Sequence, residues 1–249
     1  MKAIILAAGV GSRLAPLTIK KPKTLIEVCG KPILSWQIDN LLDSDIKDIT
    51  ICVGYKSKQI IDFCHTRYPH INFNFVVNEK YESTNNIYSL YLARHELNND
   101  LFLMNGDGVW DKSIIIDMKK IPQSLIAVDE DNYLEESMKV MLDKNLYILD
   151  ISKNITKKRA YGVSIDIHKF LKKDATTLRE GLVNIVEKEG NTNQWFEVLL
   201  QRLFSSKKLL VKPFNIKNSS WYEIDTEDDL RQAELIFNDK LKIIKHRKI

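Results

Sequence analysis

The sequence predicts an α/β fold in which helices cover both faces of a mixed, mostly parallel sheet. Apolar runs of strand length alternate with helical segments up to residue 128, as in a doubly wound sheet. The run at 2–8 is continuously apolar and ends at Gly9, as a central parallel strand does where it enters a loop. Beyond residue 129 a hairpin and short strands dominate, which predicts a small β-rich insertion.

The other elements are predicted in chain order from the same periodicities. Helices are expected at 33–42, 59–67, 85–97 and 113–120, and strands at 49–53, 73–77, 101–104 and 125–128. In the second half we expect a hairpin of 138–142 with 146–151, strands at 161–167, 209–214 and 221–224, and helices at 178–189 and 194–204. Thr226 is expected to cap a last helix that has an acidic first turn and Lys240, Lys242 and Lys245 near its end.

The composition indicates a domain that acts on small anionic molecules. The net charge of the 249-residue chain is +4, with a pI near 8.7. This excess suits an anionic substrate but is too small to indicate nucleic-acid binding. No run reaches the ~20 apolar residues of a membrane span, and Cys29, Cys52 and Cys64 lack metal-ligand spacing. We therefore expect a cytoplasmic monomer or homodimer with small-molecule substrates, and neither nucleic acid nor membrane as partner.

The segment after the first strand carries the strongest signal for chemistry. Gly9 and Gly11 permit a tight turn whose N–H groups face phosphates, and Arg13 offers a planar fork to phosphate oxygens. Pro22 stiffens the chain before Lys23, which can place a point charge at an α-phosphate. Position 14 is leucine, where a dinucleotide fingerprint needs a third glycine, and the Gly-Lys-Ser/Thr of a Walker loop is absent. The segment therefore predicts a phosphate loop of another kind.

Two aspartates end predicted strands in opposite halves of the chain. Asp107 follows the strand at 101–104, and Asp225 follows the strand at 221–224. Open α/β sheets bind ligands at the carboxyl ends of their strands, and Mg²⁺ prefers a few carboxylates together with phosphate oxygens. We therefore expect Asp107 and Asp225 to hold Mg²⁺. A turn or helix-capping role is the alternative for each, above all for Asp225, which precedes a helix.

These motifs together resemble the signature of the sugar-nucleotidyltransferase superfamily. The resemblance covers nearly the whole chain and includes the runs at 85–90, 105–108 and 222–226. It implies a Rossmann-like nucleotidyltransferase fold in one domain over 1–249, with a nucleotide-binding half at 1–128, an acceptor-binding half at 129–225 and a C-terminal helix at 226–249. It implies catalytic roles for Arg13 and Lys23 and magnesium ligation by Asp107 and Asp225. The nucleotide would contact Leu6, Ala7, Ala8, Gly9, Gly11, Ser12, Arg13, Lys23, Asn78, Ser83, Thr84, Asn85 and Asn86.

The short length and the Thr-Asn-Asn-Ile-Tyr-Ser-Leu run at 84–90 are more similar to the cytidylyltransferase branch. That branch implies transfer of CMP from CTP to a small phosphorylated metabolite, with release of pyrophosphate. The expected acceptor is phosphoglutamine, as in capsular phosphoramidate biosynthesis, and phosphocholine and sugar 1-phosphates are the alternatives. A nucleotide-sensing module without catalysis is a further alternative, although sensing alone would not need a pair of metal ligands.

Acceptor recognition is expected from aromatic and charged residues, most of them in the second half. Trp195 and Glu197 could hold a cationic group, and Lys158, within a basic run before Tyr161, could hold a carboxylate. Trp110 and Tyr161 are further candidate walls of the acceptor pocket. In the family an asparagine or aspartate often follows the metal aspartate directly, whereas Gly108 follows Asp107 here. The alternatives are core packing for the aromatic residues and a solvated charge run for Lys158.

Overall fold

The computed structural model describes the backbone of residues 1–246 and the side chains of residues 1–238. Lys240, Lys242 and Lys245, predicted as a basic helix end, lie outside the described side chains, and the last residues of the predicted 226–249 helix lie outside the described backbone. The strands are β1 (Lys2–Ala7), β2 (Glu27–Val28), β3 (Lys31–Pro32), β4 (Asp48–Val53), β5 (Phe73–Val77), β6 (Leu101–Asn105), β7 (Gly108–Trp110), β8 (Leu125–Asp129), β9 (Lys139–Leu142), β10 (Ile148–Ser152), β11 (Gly162–Phe170), β12 (Lys212–Asn215) and β13 (Trp221–Glu223).

The strands form one large mixed sheet and two small ribbons. The order in the large sheet is β10-β9-β11-β6-β1-β4-β5, and β8 pairs with both β11 and β12. β1 is parallel to β4 and β6, and β4 is parallel to β5, whereas β11 runs antiparallel to β6. The predicted fold class is confirmed, since a parallel centre carries an antiparallel extension that contains the predicted hairpin.

Helices cover both faces of this sheet. They are α1 (Leu17–Lys20), α2 (Ile33–Asp43), α3 (Ser57–Arg67), α4 (Asn86–Leu92), α5 (Ser113–Lys120), α6 (Lys172–Val183), α7 (Glu197–Ser205) and α8 (Glu227–His246). Side chains alternate in β1, so Ile4 and Leu6 pack with α4, α6 and α7, while Ala3 and Ile5 pack with α2, α3 and α5. Within the described residues, no helix is both long enough and apolar enough to cross a membrane.

A third, smaller core joins the phosphate loop to the C-terminal helix. Leu14 of the loop, Val109 of β7 and Ile224 after β13 pack with Ala233 and Phe237 of α8, and all five are at most 2% exposed. Because α8 contacts the loop, β7 and β13 together, it fixes the loop relative to the small β7–β13 ribbon.

Several predicted boundaries differ from those of the structure. The predicted 85–97 helix ends at Leu92, and a separate 3₁₀ turn, Arg94–Glu96, follows it. The second-half helices begin at Lys172 and Glu197, and a π-helical turn, Asn184–Lys188, extends the first of them. β7 was not predicted, because three residues after a glycine turn are too few to establish a period.

Candidate functional site

The loop after β1 depends on two close approaches of backbone. Gly11 has a φ of 66°, and a Cβ there would lie 2.9 Å from the Cβ of Lys23. At Gly106, after β6, a Cβ would lie 2.8 Å from the carbonyl oxygen of Leu6. The Thr18 hydroxyl donates to the carbonyl of Gly11 at 3.0 Å and holds the turn in place. Glycine at these positions lets Lys23 and the end of β6 pack directly against the loop.

The ribbon of β7 and β13 brings the two predicted metal ligands together. Gly108 of β7 lies opposite Glu223 of β13 in an antiparallel register. Asp107 immediately precedes β7, and Asp225 comes two residues after the end of β13. Between them, the Ile224 N–H donates to the Asp107 carbonyl at 3.0 Å. Residues more than a hundred positions apart in sequence therefore meet at the carboxyl edge of the sheet.

Two cations neutralise this pair of aspartates. Lys23 Nζ lies 3.1 Å from Asp107 Oδ2 and 2.7 Å from Asp225 Oδ1, and Arg13 Nη2 lies 2.7 Å from Asp225 Oδ2. Burial alone would lower the pKa of Lys23, but the charges of Asp107 and Asp225 outweigh it and raise that pKa. Burial alone would raise the pKa of Asp225, but Lys23 and Arg13 outweigh it and lower that pKa. Lys23 and Asp225 therefore both stay charged at neutral pH.

Glu223 completes a group of three carboxylates. One oxygen each from Asp107, Glu223 and Asp225 lies within 4.8 Å of the others. Burial, followed by the charges of Asp107 and Asp166, raises the pKa of Glu223 to about 9. Three carboxylates that repel one another in a partly buried site suit a hard divalent cation with oxygen ligands. These residues could therefore hold such a cation, with Glu223 as a ligand that was not predicted.

Asp225 does not cap the last helix. The Asp229 N–H donates to the Thr226 hydroxyl at 3.2 Å, and the Asp229 carboxylate accepts from the Thr226 N–H at 2.8 Å, which is a capping box. The predicted cap at Thr226 is confirmed. The Asp225 carboxylate is therefore left to contact Lys23 and Arg13.

A cleft of about 250 Å³ lies over the phosphate loop. It is lined by most of the residues predicted at the phosphates and by both aspartates. Thr24 and Gly106, which were not predicted, also line it. Its lining residues are Leu6, Ala7, Gly9, Gly11, Ser12, Arg13, Lys23, Thr24, Gly106, Asp107 and Asp225.

An adjoining cleft of about 280 Å³ contains most of the other predicted nucleotide residues. Asn78 donates through its amide to the hydroxyls of Thr84 and Ser89, each at 3.0 Å, and so connects β5 to α4. Ser83 lies outside both clefts, and its hydroxyl donates to the Lys80 carbonyl at 3.3 Å. The predicted residues that line this cleft are Leu6, Ala8, Gly9, Arg13, Asn78, Thr84, Asn85 and Asn86.

The second cleft contains further acidic residues besides Asp107, Glu223 and Asp225. Glu197 begins α7 and is 3% exposed, and burial raises its pKa to about 7. Asp166 lies within β11 at a φ of 58°, where its carboxylate accepts from the Asn105 amide at 2.9 Å. Burial, and then the charges of Glu197 and Asp107, raise the pKa of Asp166. A cation bound in this pocket would lower the pKa of both carboxyl groups and so favour their ionised forms.

The structure separates the residues predicted for acceptor recognition. Trp195 and Glu197 line the acidic cleft. Trp110 is 2% exposed and packs in the core, beside a small cavity only. Lys158 is exposed and lines none of the described clefts, and the Tyr161 hydroxyl, also outside them, donates to Glu130.

Four charged residues of the site were not predicted: Glu136, Lys153, Asp166 and Glu223. Glu223 carried a usable signal, because residues two apart in an extended segment face the same way and Asp225 was already assigned. Asp166 also carried one, as an acid within an apolar strand. Lys153 follows β10 in a loop and had no pattern to mark it.

Comparison with known proteins decides the family. A sequence model described as nucleotidyl transferase matches residues 2–130. A choline-phosphate cytidylyltransferase of Streptococcus pneumoniae is 30% identical over 96% of this chain and 100% of the relative. The chain belongs to the nucleotidyl transferase family. As an enzyme of this family it is a nucleotidyltransferase rather than a sensing module, and the resemblance to the cytidylyltransferase branch is confirmed.

Further relatives of this nucleotidyl transferase agree with that branch. A CMP-5'-(3-aminopropyl)phosphonate synthase of Streptomyces rubellomurinus is 25% identical over 96% of this chain and 39% of its own length. The solved CTP:phosphocholine cytidylyltransferase from Streptococcus pneumoniae superposes with a TM-score of 0.80 at 29% identity, over 95% of this chain and 98% of that one. The family model ends at residue 130, so Asp166, Glu197 and Glu223 lie beyond it.

Proposed function

We propose that this nucleotidyl transferase moves CMP from CTP to the phosphate of a small acceptor that carries a cationic nitrogen, with phosphoglutamine as the expected acceptor. The observation that carries this proposal is the arrangement of the two clefts. The phosphate loop, Arg13 and Lys23 line one cleft. The adjoining cleft contains Asp166 and Glu197 beside the residues predicted for base and ribose, and Asp107 and Asp225 line both clefts. A nucleotide and an acceptor bound in these clefts would meet at Asp107.

The transfer needs positioning and charge neutralisation more than proton transfer. An oxygen of the acceptor phosphate, already ionised at neutral pH, attacks the α-phosphorus of CTP while the bond from that phosphorus to the pyrophosphate oxygen breaks. Arg13 and Lys23 hold and neutralise phosphate oxygens at the loop. We assign Mg²⁺ to Asp107, Glu223 and Asp225, where it would supply Lewis-acid stabilisation of the phosphates.

The acceptor class is supported by the charge of the second cleft. Apart from the three carboxylates assigned to the metal, Glu136, Asp166 and Glu197 line it with Lys153, an acidic excess that favours a cationic substituent. The relatives are named for choline phosphate and for an aminopropylphosphonate, and both molecules carry a nitrogen cation. A sugar 1-phosphate offers no cation to these carboxylates, so it is the weaker candidate.

A matrix of nucleotides and acceptors tests the proposal. Pyrophosphate release is measured with CTP, UTP, dTTP and ATP against phosphoglutamine, phosphocholine, 2-aminoethylphosphonate and glucose 1-phosphate, and products are identified by mass. CTP with a nitrogen-bearing acceptor should give the highest kcat/KM. Faster turnover with another nucleotide for every acceptor would refute the cytidylyl assignment. A preference for glucose 1-phosphate would refute the acceptor class.

A further inference from the structure

The acidic cleft contains carboxylate oxygens that have no partner. Glu197 is 3% exposed, and its Oε2 is buried without a hydrogen bond. Asp166 Oδ1 is likewise buried and unpartnered, while the other oxygen of Asp166 accepts from Asn105. A buried acceptor without a donor destabilises the free site, because its lost hydrogen bond to water is not replaced. Because both residues line the same cleft, a ligand with N–H donors would satisfy them.

A lysine in the same cleft covers the aromatic face that an aromatic cage for a cation would need. Lys153 Nζ lies 4.9 Å from the ring centroid of Trp195, whose side chain is 46% exposed. A trimethylammonium group would need that aromatic face, and Lys153 already covers it with a like charge. Among the described side chains, Lys153 has no carboxylate within 4 Å, although its charge lowers the pKa of Asp166. Its ammonium is therefore available to an anionic group of a ligand.

We propose that Asp166, Glu197 and Lys153 select an acceptor whose end distant from the phosphate carries both a primary ammonium and a carboxylate. This inference rests on the proposed function and narrows its substrate class to zwitterions. A primary ammonium has three N–H donors for the orphaned oxygens of Asp166 and Glu197, whereas a quaternary ammonium has none. The carboxylate of the acceptor pairs with Lys153. This ion pair also reduces the repulsion between the Lys153 ammonium and the ammonium of the acceptor.

The experiment compares matched acceptors and matched variants. The acceptors are phosphoglutamine, its analogue without the α-carboxylate, and phosphocholine. The variants are Lys153→Met, which keeps the length of the side chain, and Glu197→Gln, which keeps its shape. Lys144→Met, in the exposed turn between β9 and β10, is the control for loss of a surface lysine. Acceptor binding is measured by calorimetry as well as kcat/KM, so that recognition is read even where transfer fails.

The wild type should prefer phosphoglutamine to phosphocholine by about tenfold or more in kcat/KM. In Lys153→Met the ratio of phosphoglutamine to its decarboxylated analogue should fall by about tenfold, and in Lys144→Met it should not change. Glu197→Gln should weaken both amine-bearing acceptors by about tenfold more than it weakens CTP.

Two results would overturn the inference. One is a preference for phosphocholine over both primary amines. The other is a Lys153→Met enzyme that loses all three acceptors equally, since a lysine that only contacts the shared phosphate would act in that way. Either result would leave cytidylyl transfer in place. Absence of transfer from CTP to every acceptor would refute the proposed function instead, and calorimetry would still decide whether zwitterions are selected.

Discussion

Removing the charge of Lys23 should change metal binding and turnover in opposite directions. Its ammonium contacts Asp107 at 3.1 Å and Asp225 at 2.7 Å, so it competes with a divalent cation for the same oxygens. A charge-assisted contact in a partly screened site is worth about 1.5–3 kcal/mol. Lys23→Met keeps most of the stem and should therefore tighten cation binding to the free enzyme by about tenfold.

Turnover should fall in the same variant. Without the Lys23 ammonium, nothing at this position neutralises the negative charge that builds at the α-phosphate. Removing one such group costs about 10²–10³ in kcat. Lys23→Arg should restore the cation affinity of the wild type but little of the turnover, because a planar fork is not a point charge.

Mn²⁺ titration followed by EPR, without nucleotide, measures the first effect, and pyrophosphate release measures the second. Lys21→Met, in the same loop but paired with Glu27 at 3.1 Å, is the matched control and should change neither. Unchanged Mn²⁺ affinity in Lys23→Met would mean that the ammonium does not compete for these ligands. Near-normal turnover of Lys23→Met would contradict the proposed role of Lys23 at the α-phosphate.

Two further predictions follow from single residues. Asp225→Asn should lower Mg²⁺-dependent turnover by at least about 10², because a neutral amide is a poor ligand for the cation. The melting temperature should fall by roughly 10 °C at most, through the lost contacts with Lys23 and Arg13, because Thr226 and Asp229 cap α8 without Asp225. Asp117→Asn, exposed on α5, is the control, and failure of the variant to fold would instead give Asp225 a structural role. His168 is fully buried, neither ring nitrogen makes a hydrogen bond of good geometry, and burial lowers its pKa to about 3. The unfolded chain binds this proton below about pH 6.5 and the native state does not, so the free energy of unfolding falls as pH falls through 6.5. Urea unfolding at pH 7.5 and 5.5 should show a loss larger by about 1.4 kcal/mol in the wild type than in His168→Leu, and equal losses would contradict the buried neutral imidazole.

The fold was predictable where local pattern and tertiary packing agree. After Lys2, β1 is apolar because both of its faces are buried, and the amphipathic α2 and α5 follow the period of one buried stripe. Prediction failed where tertiary contacts define the element. β7 exists as a strand because β13, from the other end of the chain, pairs with it, and three residues carry no period that could reveal this.

The same distinction separates the two ends of the site. The predicted phosphate site is one continuous loop, in which Gly11 has a positive φ and Lys23 packs against Gly11. The residues that such a site requires are therefore close together in the sequence and form a recognisable motif. The proposed acceptor pocket is assembled from single side chains on three separate elements: Asp166 in β11, Glu197 at the start of α7 and Lys153 in a loop. None of these has a chemically matched neighbour in the sequence. Sequence therefore indicated that a cation for an acceptor carboxylate was needed and placed it at Lys158, whereas the lysine beside the acidic pocket is Lys153, five residues earlier.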